Sequence, residues 1–294
     1  MVAATVIIAT RNRAALLKNC LDSLREQSAR GQFEIIVVDN GSSDETSSVV
    51  ASYGAMMPEL RLLQVSEPNR AKARNAGIAT ARGKWIIFCD DDTILPAPFV
   101  AAHLRSHERH DPCVVTGPII NIADPSRMNP PEARHYSRAY FCTCNASVAT
   151  ADVVRAGGFD EQYDLYGWED TDLGIRLRSL GLPRIFDWQA YLYHHKPAAA
   201  DSYARRRTLA IEKGNMAARF VRKAPTWPVK LATGAYAANF IRAAVVNAPP
   251  MRKVYERIVQ SQTKGSALQT LATEALLDAA YLDALKAALR ATRD

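Results

Sequence analysis

The 294-residue sequence lacks the features that would place it quickly in several large classes. No uninterrupted apolar run approaches the ~18 residues of a membrane-spanning helix. The best stretch, residues 229–248, is broken by Lys230, Asn239 and Arg242. Met1 leads into residues 3–9 with no basic front region, so no secretory leader is expected. The five cysteines (Cys20, Cys89, Cys113, Cys142, Cys144) are odd in number and form no CxxC pair. That argues against a disulfide framework, a redox motif and a zinc knuckle, and reads as reduced thiols in a cytoplasmic protein. No G-x-G-x-x-G occurs, which removes the main support for a dinucleotide-dependent dehydrogenase. Gly77 to Gly83-Lys84 imitates a P-loop, but its spacing is one residue too long and Trp85 stands where Ser or Thr would bind magnesium. No internal repeat is present.

What is there suits one large α/β domain with an appendage. Apolar residues make up 48% and charged residues 23%, enough for a substantial core. The net charge of +7 is uneven: from Asp201 onward 16 Lys/Arg stand against 7 Asp/Glu, a net of +9, leaving the first 200 residues at −2. A basic tail suits anionic lipid, a phosphorylated acceptor or nucleic acid, or is simply a solvated helical surface.

The short run Val6-Ile7-Ile8-Ala9 reads as a buried strand delivering the polar loop Thr10-Arg11-Asn12-Arg13. Leu16, Leu17, Cys20, Leu21 and Leu24 then recur at helical spacing. A second strand, residues 33–38, runs into Asp39-Asn40-Gly41-Ser42-Ser43-Asp44, where Ser43 or Asp44 suits a helix cap. Residues 60–65 give a third strand, 71–81 an alanine-rich helix, and 85–89 a fourth strand ending at Asp90-Asp91-Asp92. Further on come a Pro/Asn-rich loop (122–131), a strand (140–148), a turn at Gly157-Gly158, a helix (171–180) stopped by Gly181, and one last strand (184–193) ending in His194-His195. Beyond Pro197 the chain is helical, with an apolar stripe at Leu268, Leu271, Ala275, Leu282, Leu285 and Leu289. The expectation is a Rossmann-like, mostly parallel sheet flanked by helices over 1–200, followed by a basic helical extension over 201–294. In such sheets ligands sit beyond the carboxyl ends of the strands.

Three adjacent carboxylates repel one another at a sheet end, and a hard divalent cation, Mg²⁺ or Mn²⁺, would remove that cost. The competing reading is an acidic turn capping the next helix through Asp92-Thr93. The second constellation, Gly167-Trp168-Glu169-Asp170-Thr171-Asp172, opens a helix whose dipole already favours acids. Transfer to a hydroxyl needs a carboxylate to take its proton, and a tryptophan offers a flat face for a sugar ring. A histidine at 194 or 195 would add a metal ligand.

In order and spacing these segments resemble glycosyltransferase family 2, with its GT-A fold, over residues 1 to about 196. The carrying motifs are the opening 6–13, then 34–44, then 69–77 (Asn-Arg-Ala-Lys-Ala-Arg-Asn-Ala-Gly), Asp90-Asp91-Asp92 in the DXD position, and 157–173. The last resembles galactosyl- and N-acetylgalactosaminyl-transferase-like members. The resemblance implies an inverting, metal-dependent enzyme using Mn²⁺ or Mg²⁺, with 1–95 binding the nucleotide-sugar and 96–200 on the acceptor side. A nucleotide-sugar, UDP favoured, would be held by Thr10, Arg11, Asn12, Arg13, Asp39, Asn40, Arg70, Asn75, Asp90 and Asp91, with Asp91 the least constrained of the triplet. Asp92 and His194 (alternatively His195) would hold the metal, Asp170 would be the base, and Asn145, Trp168 and Glu169 would meet acceptor or donor sugar. The acceptor would be a saccharide or lipid-linked hydroxyl in cell-envelope polysaccharide assembly. The protein would be cytoplasmic or peripheral at the inner face of the membrane, with homodimerisation through the tail open and nucleic acid not expected. Two other classes compete: a sugar nucleotidyltransferase, which would want a Gly-rich basic loop after the first strand, and an inactive glycan or anionic-surface binding module, which would have lost an acid from a motif. Asn40-Gly41-Ser42 and Asn145-Ala146-Ser147 match glycosylation sequons that a cytoplasmic protein would not use.

Overall fold

Along the first strands, burial alternates between two cores. In β1 (Ala4–Thr10) Val6 and Ile8 join one apolar cluster while Ile7 joins another. In β2 (Phe33–Asp39) Ile35 and Val37 face the first cluster, Ile36 and Val38 the second. Successive side chains of a strand point to opposite faces, so near-continuous apolar runs imply a sheet covered on both sides. A computed structural model, which describes residues 2–197, 202–261 and 266–291, has that arrangement. One face is covered by α1 (Ala14–Arg25), which buries Leu17, Cys20, Leu21 and Leu24, and by α4 (Phe99–His110). The other is covered by α3 (Arg70–Thr80), α5 (Thr150–Arg155) and α6 (Glu169–Ser179).

The remaining elements of this unit are α2 (Thr46–Ser52), β3 (Leu60–Gln64), β4 (Trp85–Cys89), β5 (Thr93–Ile94), β6 (Val114–Thr116), β7 (Ile119–Ile122), β8 (Asn145–Ala149), β9 (Arg184–Phe186) and β10 (Leu192–His195). The main sheet has seven strands in the order β3-β2-β1-β4-β8-β6-β9. β3, β2, β1 and β4 are mutually parallel, and β8 runs antiparallel to both β4 and β6. A small second sheet, β5-β10-β7, stands beside it.

Several boundaries differ from expectation for local reasons. The strand expected over 184–193 is two strands in different sheets, separated by a turn in which Ala190 N and the Gln189 N–H bond to Asp187. The strand expected over 140–148 begins only at Asn145, whose N–H first closes a turn onto Cys142 O. The loop expected from Ile122 is preceded by β7, and no helix follows Asp92-Thr93: Thr93 starts β5, so the triplet does not cap a helix. Neither residue suited to cap α2 holds the N-cap position, which is Glu45; Asp44, one residue earlier, accepts from Thr46 N.

The described residues divide into two compact units, 2–164 with 169–197, and 165–168 with 202–261 and 266–291. The second unit holds α7 (Tyr203–Lys223), α8 (Trp227–Thr233), α9 (Ala237–Val246), α10 (Pro249–Ser261) and α11 (Ala267–Arg290). Gly214, Ala217 and Ala218 let α7 lie close on α11, where a Cβ on Gly214 would meet Tyr281 O at 2.4 Å. The apolar stripe holds only in its later half: Leu282 and Leu285 are buried, whereas Leu268 and Leu271 are exposed. Among the described residues no helix is long and apolar enough to cross a membrane.

Gly117 joins β6 to β7, where a Cβ would lie 1.9 Å from Ala190 O. Gly117→Ala is expected to cost about 2 kcal/mol or more, because the clash is with backbone that cannot rotate away. Urea denaturation checks this, and an unchanged midpoint would contradict the packing.

Candidate active site

Because β2, β1 and β4 are adjacent and parallel, their carboxyl ends deliver Asp39, residues 10–13 and the aspartate triplet to one edge. There Thr10 Oγ1 donates to Asp91 Oδ2 at 2.7 Å, and Arg13 Nη1 bridges Asp91 Oδ1 (2.9 Å) and Asp92 Oδ2 (3.0 Å). Asp91 is thus the most tightly held of the three, not the least constrained. Burial pushes its carboxyl up to about 6, against the pull of Arg13 and with Asp92 adding repulsion.

β5 follows the triplet directly and pairs antiparallel with β10, setting His194 opposite Thr93. His195 N donates to Asp92 O at 2.7 Å, and His194 Nε2 comes within 3.0 Å of Asp92 Oδ1. Burial works against the Asp92 charge, but His194 and Arg13 hold its carboxyl below the usual range. A carboxylate oxygen of Asp90, Cys144 Sγ and a ring nitrogen of His194 lie within 4.8 Å of one another, a grouping that leaves out Asp92, the expected ligand, and takes in Asp90, expected at the nucleotide, and a thiol. Of the two histidines, His194 joins this group. Neighbouring strand positions face opposite ways, and His195 Nδ1 is buried without a hydrogen-bond partner.

The second half of the site is reached through Arg74, on α3. Its guanidinium lies 3.7 Å from Asp90, 3.2 Å from Glu169 Oε1 and 3.8 Å from Asp170 Oδ1. Desolvation alone would lower its pKa, but Asp170, Glu169 and Asp90 together raise it, so it remains a permanent cation. Asp170 Oδ2 accepts from both Thr143 N and Thr143 Oγ1 at 2.9 Å, while Oδ1 has no hydrogen-bond partner. Burial pushes the Asp170 carboxyl above the ordinary range; Arg74 pulls it down and Glu169 adds repulsion.

Other expected residues are placed differently. Asn145 is fully buried: its Nδ2 donates to Pro118 O (3.1 Å) and Ala190 O (2.8 Å) and its Oδ1 faces His103 Nε2 (3.1 Å), so it has no atom left for a sugar. Asn75 is spent on the turn at 159–161, donating to Phe159 O and Glu161 Oε1 and accepting from Phe159 N, so it clamps a loop and is not open to nucleotide. Asn40 Oδ1 accepts from Asn69 N and Asn12 Oδ1 from Ser43 N, so both tie loops together, while Asp39 accepts from Ser42 N and Ser47 Oγ. Arg11 and Arg70 are exposed. Glu169 is buried against Arg74. Trp168 belongs to the helical unit, where its Nε1 donates to Lys213 O and its ring stacks near Phe220 at 5.7 Å. The indole is therefore a packing element of that unit and not an open sugar platform.

Sequence reasoning missed Arg74, Thr143, Cys144 and a buried chain behind the site. Arg74 carried a signal: it shares the buried face of α3 with Ala71 and Ile78, where an unpaired charge is not tolerated. The buried chain has a fixed direction. Both Asn145 N–H groups go to carbonyls, so its oxygen must accept from His103 Nε2–H. His103 Nδ1 then accepts from Ser147 Oγ–H (2.8 Å), Ser147 Oγ accepts from His107 Nε2–H (2.8 Å), and His107 Nδ1 faces Cys113 Sγ at 3.6 Å. Through Ala190 the chain fixes the turn that leads into β10 and His194.

Comparison with known proteins follows the same outline. Residues 5–159 match the family model of Glycosyl transferase family 2, and residues 125–195 match the N-terminal domain of galactosyltransferase. The chain belongs to glycosyltransferase family 2. It is 31% identical over 219 residues to a validoxylamine A glucosyltransferase of Streptomyces hygroscopicus subsp. jinggangensis (strain 5008), covering 61% of this chain and 52% of that one. It is 35% identical over 121 residues to a PGL/p-HBAD biosynthesis glycosyltransferase of Mycobacterium tuberculosis (strain ATCC 25618 / H37Rv), covering 40% and 46%. The chain thus spans about half the length of these curated relatives. Among solved structures it resembles the mannosyltransferase PcManGT of Pyrobaculum calidifontis in complex with GDP-Man and Mn²⁺, with a TM-score of 0.62 and 23% identity over 98% of this chain and 87% of that one. It also resembles S. aureus TarS 1–349 in complex with UDP-GlcNAc, with a TM-score of 0.57 and 19% identity over 99% and 91%. These likenesses confirm a GT-A-type fold.

Burial pushes His103 down to about 4 and His107 to about 3, the latter with His103 adding repulsion, so both are neutral at pH 7. A depressed histidine contributes stability above its unfolded value near 6.5 that is lost as pH falls through the folded value. Their ring signals in an NMR titration are expected to stay unshifted from about pH 7.5 to about pH 5.5; ordinary titration near 6.5 would refute the chain.

Proposed function

We propose that the chain is a metal-dependent, inverting glycosyltransferase that moves a hexosyl or N-acetylhexosaminyl group from a nucleotide-sugar to an acceptor hydroxyl. The observation that carries this reading is Asp170: one oxygen is pinned by Thr143, the other accepts no hydrogen bond, and Arg74, 3.8 Å from that second oxygen, ties the carboxylate to Asp90. That is a pre-oriented base beside the edge where nucleotide ligands bind in α/β sheets.

The acceptor hydroxyl attacks the anomeric carbon and gives its proton to Asp170 Oδ1. The bond from that carbon to the diphosphate oxygen breaks, and the nucleoside diphosphate leaves. A divalent ion, Mn²⁺ or Mg²⁺, when bound supplies charge neutralisation for the departing diphosphate. The residues fit such an ion. Asp92 Oδ1 is buried with no hydrogen-bond partner and lies 3.0 Å from His194 Nε2, and His194 also groups with the Asp90 carboxylate. Cys144 is the poorer partner for a hard cation, since burial and neighbouring charges hold its thiol protonated. Arg13 and Thr10 hold Asp91, which backs the triplet, and Arg74 keeps Glu169 and Asp170 from repelling Asp90.

A UDP-sugar is the favoured donor, supported by the galactosyltransferase-type match over 125–195. The acceptor we favour is a saccharide or lipid-linked hydroxyl in cell-envelope assembly.

Asp92→Ala is expected to abolish the Mn²⁺-dependent part of UDP binding in calorimetry; equal affinity with and without Mn²⁺ in both proteins would remove the metal assignment. Asp170→Asn should keep donor affinity within about threefold while lowering turnover by about 10² or more. Since Asp170 must be ionised and burial raises its pKa, activity should fall on acidification above the ordinary carboxylate range. Near-normal turnover of the variant would place the base elsewhere.

A further inference from the structure

The helical unit contains a helix that its own sequence would bury and its structure does not. Nine of the ten residues of α9 other than Arg242 are uncharged, all but Asn239 are apolar, and none is buried. Phe240 and Ala243 turn inward to pack beside Leu282 and Leu285. At helical spacing the outer face carries Ala237, Ala238, Ile241, Ala244 and Val245, with Ile241 67% and Val245 69% exposed. The flanking helices repeat the pattern: Trp227 and Leu231 on α8, and Met251 and Val254 on α10, are exposed pairs one turn apart. Three consecutive helices therefore each hold an apolar pair in water, against the usual behaviour of a soluble surface.

Charge indicates what covers them. α8, α9 and α10 carry Lys230, Arg242, Arg252, Lys253 and Arg257 against the single acid Glu256. From α11, Asp278 pairs with Arg242 and Asp283 with Arg252, leaving the excess positive charge on the outer helices. A second copy would bring two segments of net +9 together, which disfavours self-association. An anionic bilayer complements both features, taking apolar side chains below the headgroups and basic ones among them.

We propose that α8–α10 form a peripheral docking surface for an anionic lipid bilayer, engaged through Trp227, Leu231, Ile241 and Val245. The surface is independent of the transfer reaction, so failure here leaves the active-site reading untouched. The test is co-flotation of the full chain with phosphatidylcholine vesicles with or without about 30% phosphatidylglycerol, at about 0.15 M salt. The wild type should float with the anionic vesicles only. Ile241→Ser/Val245→Ser should reduce flotation about tenfold, and Lys253→Glu/Arg257→Glu severalfold, with circular dichroism and UDP binding unchanged. No flotation of the wild type, or equal flotation of the serine variant, would overturn the proposal. A wild-type dimer in sedimentation that the serine variant dissolves would also overturn it and assign the face to a second copy.

Discussion

A buried arginine is costly to fold around, and Arg74 is retained because three carboxylates surround it. Desolvation of a lone guanidinium would cost several kcal/mol, and the same holds for Glu169 and Asp170 without it. Together the four groups form one unit that none can leave without stranding a charge. This fixes α3 against the start of α6 and sets the distance between the triplet at the end of β4 and the acid pair. The edge and the carboxylate proposed for donor and proton are thus parts of one electrostatic unit, although about eighty residues separate Asp90 from Asp170 in the chain.

The small sheet serves the same end from the other side. β5 is only two residues long, yet its pairing with β10 is what brings His194 to Asp92. β10 in turn depends on the turn through Ala190, which Asn145 holds from beneath and Gly117 approaches too closely to carry a side chain. The two carbonyl bonds of Asn145 give the His103-Ser147-His107 chain a single direction. It is a buried polar network in which every named proton has one place to go, and such networks define a unique core arrangement.

Much of this was legible in the chain. The runs at 6–9, 33–38 and 85–89 read as strands emptying into polar loops, the structure has strands over 4–10, 33–39 and 85–89, and their shared edge followed from the parallel pattern. Asp90, Asp92, Asp170 and His194 were singled out and the fold brings them into two connected clusters. Asn145, Asn75 and Trp168 were misplaced for a common reason: a polar or aromatic residue near a motif looks identical in sequence whether it meets a ligand or neighbouring backbone. Arg74 was passed over because its partners lie far away in sequence, and pairing is a property of the folded state. The break at 187–191 was hidden because both halves read as strand; the turn onto Asp187, which sends them into different sheets, is a product of the fold.

The most direct test of the account is turnover of nucleotide-sugars by the purified chain, read as release of nucleoside diphosphate across UDP-, GDP- and dTDP-sugars with and without Mn²⁺. The account predicts release from at least one donor, UDP-sugars first, that requires the divalent ion. Absence of release from every donor in the presence of metal, or release that is indifferent to chelation, would contradict it.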